Sequence, residues 1–263
     1  MLNQKKTLDT IKQYKSNQQI SMLTCYDYVF AQLMDEADID CLLVGDSVGT
    51  NVLGYASEQE VTLADMLHHT KAVARGVQTS FIISDLPYQT YETPEQALQS
   101  AQLLIEAGAD AVKFEGFYPD IVRLLTAHNI QVVCHLGLLP QTALKKSVQA
   151  VDKASIQQLY RHACDLEYAG ASMLIVELIP EEVAKEVTNR LSIPVIGIGA
   201  GRFCDGQVQI VYDVLGLTKR QFKHVNRFFA FRERLAEVFV AYKKRVQQQT
   251  YLDITHSFHV DGV

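Results

Sequence analysis

FIISDLPYQTYETPEQALQSAQLLIEAGADAVKFEG, residues 81–116, contains the unit from which this chain is built. It opens on FIISDLP (81–87), an apolar run that is continuous rather than alternating, as a strand covered on both faces should be. Thr93-Pro94-Glu95 then starts a helix, with threonine as cap and proline in the first turn. Ala97, Leu98, Ala101, Leu104 and Ile105 fall on one helical stripe, and Gly108 stops it. AVKFEG (111–116) is a second buried strand. Strand, helix and strand in this order make a right-handed parallel βαβ unit.

The pattern repeats in both directions. Upstream stand SMLTCYD (21–27) and CLLVGD (41–46); downstream stand QVVCHLG (131–137), MLIVELIP (173–180), PVIGIGAG (194–201) and QIVYDVLG (209–216). Helical patterns fill residues 62–76, 119–128, 155–169 and 180–191, and a basic amphipathic stretch runs over 221–248. Residues 4–16 read as an extra helix ahead of the first strand. Eight strands in about 250 residues are the arithmetic of an α/β (β/α)8 TIM barrel. The chain has no Ser/Gly-rich linker, so residues 1–263 are expected to form a single barrel domain. A doubly wound open sheet is the structural rival, but it usually has fewer strands. The seventh repeat is the weakest, because only GRFCDG (201–206) separates two runs and no helix fits there.

Composition narrows the function. Apolar residues make up 48% and charged residues 21%, which excludes a wholly disordered chain. With 24 basic and 30 acidic residues the net charge is −6, so there is no general footprint for nucleic acid. The basic segment from Lys219 to Lys244 reads as a solvated helix face or subunit contact. The polar start, MLNQKKTLDTIKQYKS, and the lack of any long apolar run predict no signal peptide and no membrane span. Cysteines at 25, 41, 134, 164 and 204 make no Cys-x-x-Cys pair and read as small buried hydrophobes in a reducing cytoplasm.

Catalytic groups of a barrel come from the C-terminal ends of its strands. Those ends carry Asp27, Asp46-Ser47, Asp85, Lys113 with Glu115, His135, Glu177 and Asp213. Asp46, Asp85, Glu115 and Glu177 stand one, one and two βα units apart, which places four carboxylates on one rim. Like charges in a cleft need a cation or protons. Asp46, Asp85 and Glu115 offer hard oxygens of the kind Mg²⁺ takes, though other divalent ions are possible, and Glu177 is left free as a base. The same acids could instead cap neighbouring helices. Lys113 precedes Glu115 by two, so both face one way, and it suits an anionic substrate, a pairing with the barrel carboxylates or, without metal, a Schiff base. His135 reads equally as a functional or a structural histidine. Asp27 and Asp213 read as caps. Gly197-Ile198-Gly199-Ala200-Gly201 lacks the dinucleotide spacing and reads as a tight turn or a ligand-hugging loop.

Together LLVGDSVG (42–49), SDLPYQTYETPEQA (84–97), VKFEG (112–116), CHLGLLPQ (134–141) and the long run 176–217 resemble the 3-methyl-2-oxobutanoate hydroxymethyltransferase (ketopantoate hydroxymethyltransferase) family. The resemblance extends from about residue 20 to 217, with His256-Ser257-Phe258 matching the terminal pattern. It implies a (β/α)8 barrel that transfers a one-carbon unit from 5,10-methylenetetrahydrofolate to 3-methyl-2-oxobutanoate, giving 2-dehydropantoate for pantothenate synthesis. It implies metal-associated acids at Asp46, Asp85 and Glu115, and oxo-acid contacts at Asp46, Ser47, Asp85 and Lys113. It further implies a strand-5 histidine at His135, a base at Glu177, and a homo-oligomer, commonly a decamer. The chain departs from the family after Leu-Gly-Leu, where QTALKKSVQAVDKAS (141–155) replaces a glycine-bearing segment expected to overhang the site. Residues 219–229 also lack the family's usual Pro-Lys-Phe. Activity is expected to survive both departures. The rival readings are a Mg²⁺-dependent carbon–carbon lyase of the phosphoenolpyruvate mutase/isocitrate lyase kind, a Schiff-base aldolase and a non-catalytic barrel.

Overall fold

A computed structural model describes residues 4–15 and 17–260. These residues form two compact units, divided in the chain between Val211 and Tyr212.

The first unit is a closed barrel of eight parallel strands in chain order. They are β1 (Ile20–Thr24), β2 (Cys41–Val44), β3 (Phe81–Asp85), β4 (Ala111–Glu115), β5 (Gln131–Gly137), β6 (Met173–Glu177), β7 (Val195–Ile198) and β8 (Gly206–Gln209). Strand β8 pairs back onto β1, so no edge is left open. The (β/α)8 fold expected from the repeating unit is therefore the fold observed. Helices α2 (Tyr28–Glu36), α3 (Leu63–Gly76), α4 (Pro94–Glu106), α5 (Pro119–Ala127), α6 (Lys153–Ala169) and α7 (Glu181–Arg190) connect the strands. Their starts follow local chemistry. The hydroxyl of Thr93 accepts from the Gln96 N–H with Pro94 in the first turn, and Thr62 and Asp152 close capping boxes. Asp27 caps α2 through the Phe30 N–H, as the sequence suggested, although the helix itself was not anticipated.

Alternate residues of each strand point inward. Ile20 and Met22, Cys41 and Leu43, Phe81 and Ile83, Ala111, Val133, Met173 and Ile175, Ile196 and Val208 fill the barrel. The extra N-terminal helix exists as α1 (Leu8–Tyr14), and its Ile11, fully buried, joins this interior cluster. Because the N-terminal end of the barrel is filled by hydrocarbon, the polar ends of the strands are left to the other rim.

One strand lies elsewhere than expected. The apolar run 209–216 suggested β8, but the strand is Gly206–Gln209 and Val211–Val214 is a helical turn, α8. This strand alternates, with Gly206 and Val208 buried and the two glutamines half-buried, and with a single apolar side chain in four residues it carries no apolar run to mark it. As expected, no helix intervenes between β7 and β8.

The second unit contains α9 (Phe231–Gln247) and a 3₁₀ turn, Ile254–His256. The sequence pattern put the helix start at 221, but the segment before Phe231 is held irregularly, with the Arg227 guanidinium donating to the Thr218 carbonyl at 3.0 Å. Asp213 accepts from the Thr218 hydroxyl. The five cysteines are all free, and all but Cys164 are buried. Among the described residues no helix is long and apolar enough to cross a membrane.

Candidate active site

The inward-facing series of four strands end in polar residues. Phe81 and Ile83 are followed on the same face by Asp85, Ala111 by Lys113 and Glu115, Val133 by His135, and Met173 and Ile175 by Glu177. Register then sets neighbours side by side: Asp85 pairs with Lys113, Glu115 with His135, and Gly137 with Glu177. Of the strand-end residues singled out in the sequence, Asp46, Ser47, Asp85, Lys113, Glu115, His135 and Glu177 line one cavity of about 100 Å³, together with Glu58 and Lys146, whereas Asp27 and Asp213 are not in its lining. A larger hollow of about 580 Å³ at the opposite end is lined by Lys15, Thr188 and Asp205. Its buried charges satisfy each other, Lys15 Nζ lying 2.6 Å from Asp205 Oδ2, so it offers less chemistry.

Lys113 Nζ donates to Asp85 Oδ1 at 2.9 Å, with both side chains at most 5% exposed. Asp85 Oδ2 accepts from the Asp46 backbone N–H at 3.0 Å. A Cβ at Gly45 would crowd Ser47 Oγ at 3.1 Å and meet Asp85 Oδ2 at an ordinary contact distance of 3.5 Å. Ser47 Oγ lies 2.9 Å from the Tyr26 hydroxyl. His135 sits between two acids, its Nε2 3.3 Å from Glu177 Oε2 and its Nδ1 3.6 Å from Glu115 Oε1. Neither ring nitrogen completes a well-aligned hydrogen bond within the protein. Buried polar atoms are almost always partnered, so this imidazole is positioned for a polar group that enters the cavity.

The electrostatics follow from four carboxylates around one ammonium. Burial, and then the charge of Asp85, push the Asp46 carboxyl up to about 7. Burial likewise raises Glu115 well above the carboxylate range, against the pull of Lys113. Burial alone would lower Lys113, but Asp85, Glu115 and Asp46 outweigh it and hold the ammonium above its usual range. A lysine so firmly charged is a poor Schiff-base nucleophile, which needs the free amine. Burial depresses His135, only partly offset by Glu177, so its ring is neutral.

Two residues of this site escaped the strand-end reading. Gln141, fully buried, donates its backbone N–H to Glu115 Oε2 at 2.9 Å and its side-chain amide to Asp46 Oδ2 at 2.7 Å. Tyr91 donates its hydroxyl to Gln141 Oε1. Both lie in connections, where strand periodicity gives no signal; Gln141 was visible only as the end of the CHLGLLPQ motif. The connection that follows does overhang the site, as expected. Pro140 and Lys146 line the cavity, Lys146 Nζ lies 3.1 Å from Glu58 Oε1, and the Gln149 N–H donates to the Leu178 carbonyl at 2.7 Å. Leu178 itself has φ +44°, a left-handed conformation costly for a branched side chain, directly after Glu177. Of the glycine run 197–201, Gly197 and Ile198 end β7 and residues 199–201 turn away from it, with Gly199 and Gly201 at positive φ.

The ketopantoate hydroxymethyltransferase family model matches residues 5–253. This chain belongs to that family. Relatives named 3-methyl-2-oxobutanoate hydroxymethyltransferase include one from Chloroflexus aurantiacus, 44% identical over 97% of this chain and 93% of its own length. Another, from a Thermoanaerobacter species, is 41% identical over 97% and 96%. Solved structures of the same fold include a phosphoenolpyruvate phosphomutase from Streptomyces platensis subsp. rosaceus (TM-score 0.65, 11% identity, 97% of this chain and 92% of that one). A phosphonopyruvate hydrolase in complex with oxalate and Mg²⁺ matches with TM-score 0.65 and 12% identity over 95% of this chain and 93% of that one. At such identities the likeness is one of fold alone, so the family assignment rests on the 41–44% relatives and the family model.

The site also bears on whether the family chain could take a divalent ion. Among the described residues no three His, Cys, Asp or Glu side chains converge into a ready-made cage. Mg²⁺ rarely uses one; it is commonly held by one or two carboxylates, water and substrate oxygens. Asp46 and Asp85 are joined at the cavity wall, and the acids lining it, Asp46, Glu58, Asp85, Glu115 and Glu177, outnumber Lys113 and Lys146. Burial, and after it the neighbouring carboxylates, raises Asp46 and Glu115, a cost that a bound cation would relieve. The donor set fits a hard dication.

Proposed function

We propose that this chain transfers a hydroxymethyl group, with 5,10-methylenetetrahydrofolate as one-carbon donor and 3-methyl-2-oxobutanoate as acceptor, giving 2-dehydropantoate. The observation that carries the reading is the convergence of an ion-paired lysine, an acidic pair and a separate carboxylate, Glu177, on one small cavity at the C-terminal rim. Family membership supplies the substrate class.

The roles divide by geometry. Lys113 keeps ammonium protons beyond the one given to Asp85 and, with Ser47, binds the carboxylate of the oxo acid. Asp46, Asp85 and Glu115 would hold a divalent ion, Mg²⁺ first among candidates. Such an ion would polarise the 2-oxo group and make the C3 proton easier to remove. Glu177, half-buried and beside His135, takes that proton. The His135 imidazole, neutral and 3.3 Å away, adds no positive charge beside this carboxylate. Water takes over the one-carbon unit from the folate, breaking its two C–N bonds and leaving its two protons on the nitrogens of the departing tetrahydrofolate; carbon C3 then adds to that formaldehyde-level carbon, whose oxygen becomes the product hydroxyl by taking the proton held on Glu177. A cavity of about 100 Å³ holds the small oxo acid and leaves the folate to lie across its mouth.

The purified chain, Mg²⁺ and both substrates should yield 2-dehydropantoate, and a chelator should stop it. Absence of product with every component present, or folate-independent cleavage of a hydroxy acid, would reject the proposal in favour of the lyase reading.

A further inference from the structure

Gln141 lies in the connection after β5, a place where side chains are usually solvated, yet it is fully buried. Its backbone N–H goes to Glu115 Oε2. Its side-chain nitrogen donates to Asp46 Oδ2 at 2.7 Å and to the Leu86 carbonyl at 3.1 Å, and its side-chain oxygen accepts from Tyr91. The orientation of this amide is not arbitrary. The Leu86 carbonyl can only accept, so the nitrogen must face it, and Asp46 therefore receives a donor. One residue thus ties together carboxylates from the second and fourth βα units, which would otherwise repel each other. It does so without adding charge. A lysine or arginine at this place would neutralise the acids and compete with a cation; a glutamate would repel them. A carboxamide orients Asp46 and leaves its charge unspent.

We infer that Gln141 is a positioning residue that sets Asp46 and Glu115 for a divalent cation, with Tyr91 locking the amide from its far end. The inference rests on the proposed function for the presence of that cation, and the test separates the two. Mn²⁺ binding to the metal-free wild type, Gln141→Met and Tyr91→Phe chains is titrated by electron paramagnetic resonance. Melting temperature in chelator and kcat and KM for the oxo acid are measured alongside. Methionine keeps the volume and removes the donors. In folded Gln141→Met, Mn²⁺ affinity should fall by about 10–100-fold, the usual effect of removing a group that orients a metal ligand. Catalysis should fall through kcat at saturating oxo acid. Tyr91→Phe should weaken Mn²⁺ in the same direction by a smaller factor. A purely structural glutamine would lower the melting temperature and leave the affinity of the folded protein alone; that result overturns the inference. If Gln141→Met does not fold, Tyr91→Phe decides, and unchanged affinity there overturns it as well. A wild type that binds Mn²⁺ but makes no product rejects the functional proposal and leaves the inference to the titrations. A wild type that makes product but binds no Mn²⁺ rejects the inference alone.

Discussion

The metal-free protein should lose stability as pH rises, and the amount can be worked from Asp46. Its carboxyl titrates at 3.8 in an ordinary setting and is pushed up to about 7 in the fold by burial and then by Asp85. A folded-state value raised above the unfolded one means the folded chain holds the proton more tightly. The associated stability is fully present below pH 3.8 and is lost as pH rises through 7. Between pH 5.5 and 8.5 the unfolded chain has already released this proton, while the folded chain releases it only above about 7. The loss is about 1.4 kcal/mol per unit over roughly 1.5 units, or about 2 kcal/mol. Urea unfolding in chelator at the two pH values measures it. Asp46→Asn run in parallel isolates the carboxyl from the histidines, because His135, held low by burial, acts in the opposite direction over the same range. The wild type should lose about 2 kcal/mol relative to Asp46→Asn on going to pH 8.5. A divalent ion at about 100 times its Kd should then return about 2.7 kcal/mol to the wild type. A wild-type-minus-variant difference that is flat, or that grows toward alkaline pH, would refute the picture of an acid cluster short of positive charge.

Three other outcomes are expected. Glu177→Gln should slow deuterium exchange at C3 of 3-methyl-2-oxobutanoate by about 10²–10⁴-fold while oxo-acid affinity persists; ordinary exchange would remove Glu177 as the base. Lys113→Met strips the partner from an Asp85 side chain only 2% exposed and should cost about 3–5 kcal/mol in urea unfolding, part of it recovered by adding Asp85→Asn. Gly137 has φ +94° and its missing Cβ would stand 2.3 Å from the Glu177 carbonyl oxygen. Gly137→Ala should therefore cost about 1–3 kcal/mol from the backbone conformation, and more from the collision. It should also reduce C3 exchange by shifting Glu177, and retention of full exchange would show that β5 does not position the base.

The acid cluster and the histidine beside it were legible in the sequence to different depths. The chain spacing of Asp46, Asp85, Glu115 and Glu177 already implied a shared rim, because a parallel barrel brings every strand end to one level. The two-residue step from Lys113 to Glu115 implied a shared face. His135 stayed undecided, since a histidine at a strand end carries the same local signal whether it packs or works. Its position between Glu115 and Glu177 depends on contacts across two strand pairs.

Local physics thus set the repeating unit: continuous apolar runs, capped amphipathic helices and the two-residue period that ends each inward series in a polar group. Such features involve neighbours a few positions apart and can be read without a fold. Barrel closure decided the rest. It placed β8 at Gly206–Gln209, a short alternating strand paired to β1 and β7, where an apolar run pointed further on. It brought Gln141 from a connection into the space between Asp46 and Glu115, and it crowded carboxylates around one lysine until burial changed their proton affinity. Those are effects of distance in space between residues far apart in the chain, and only the closed barrel fixes those distances.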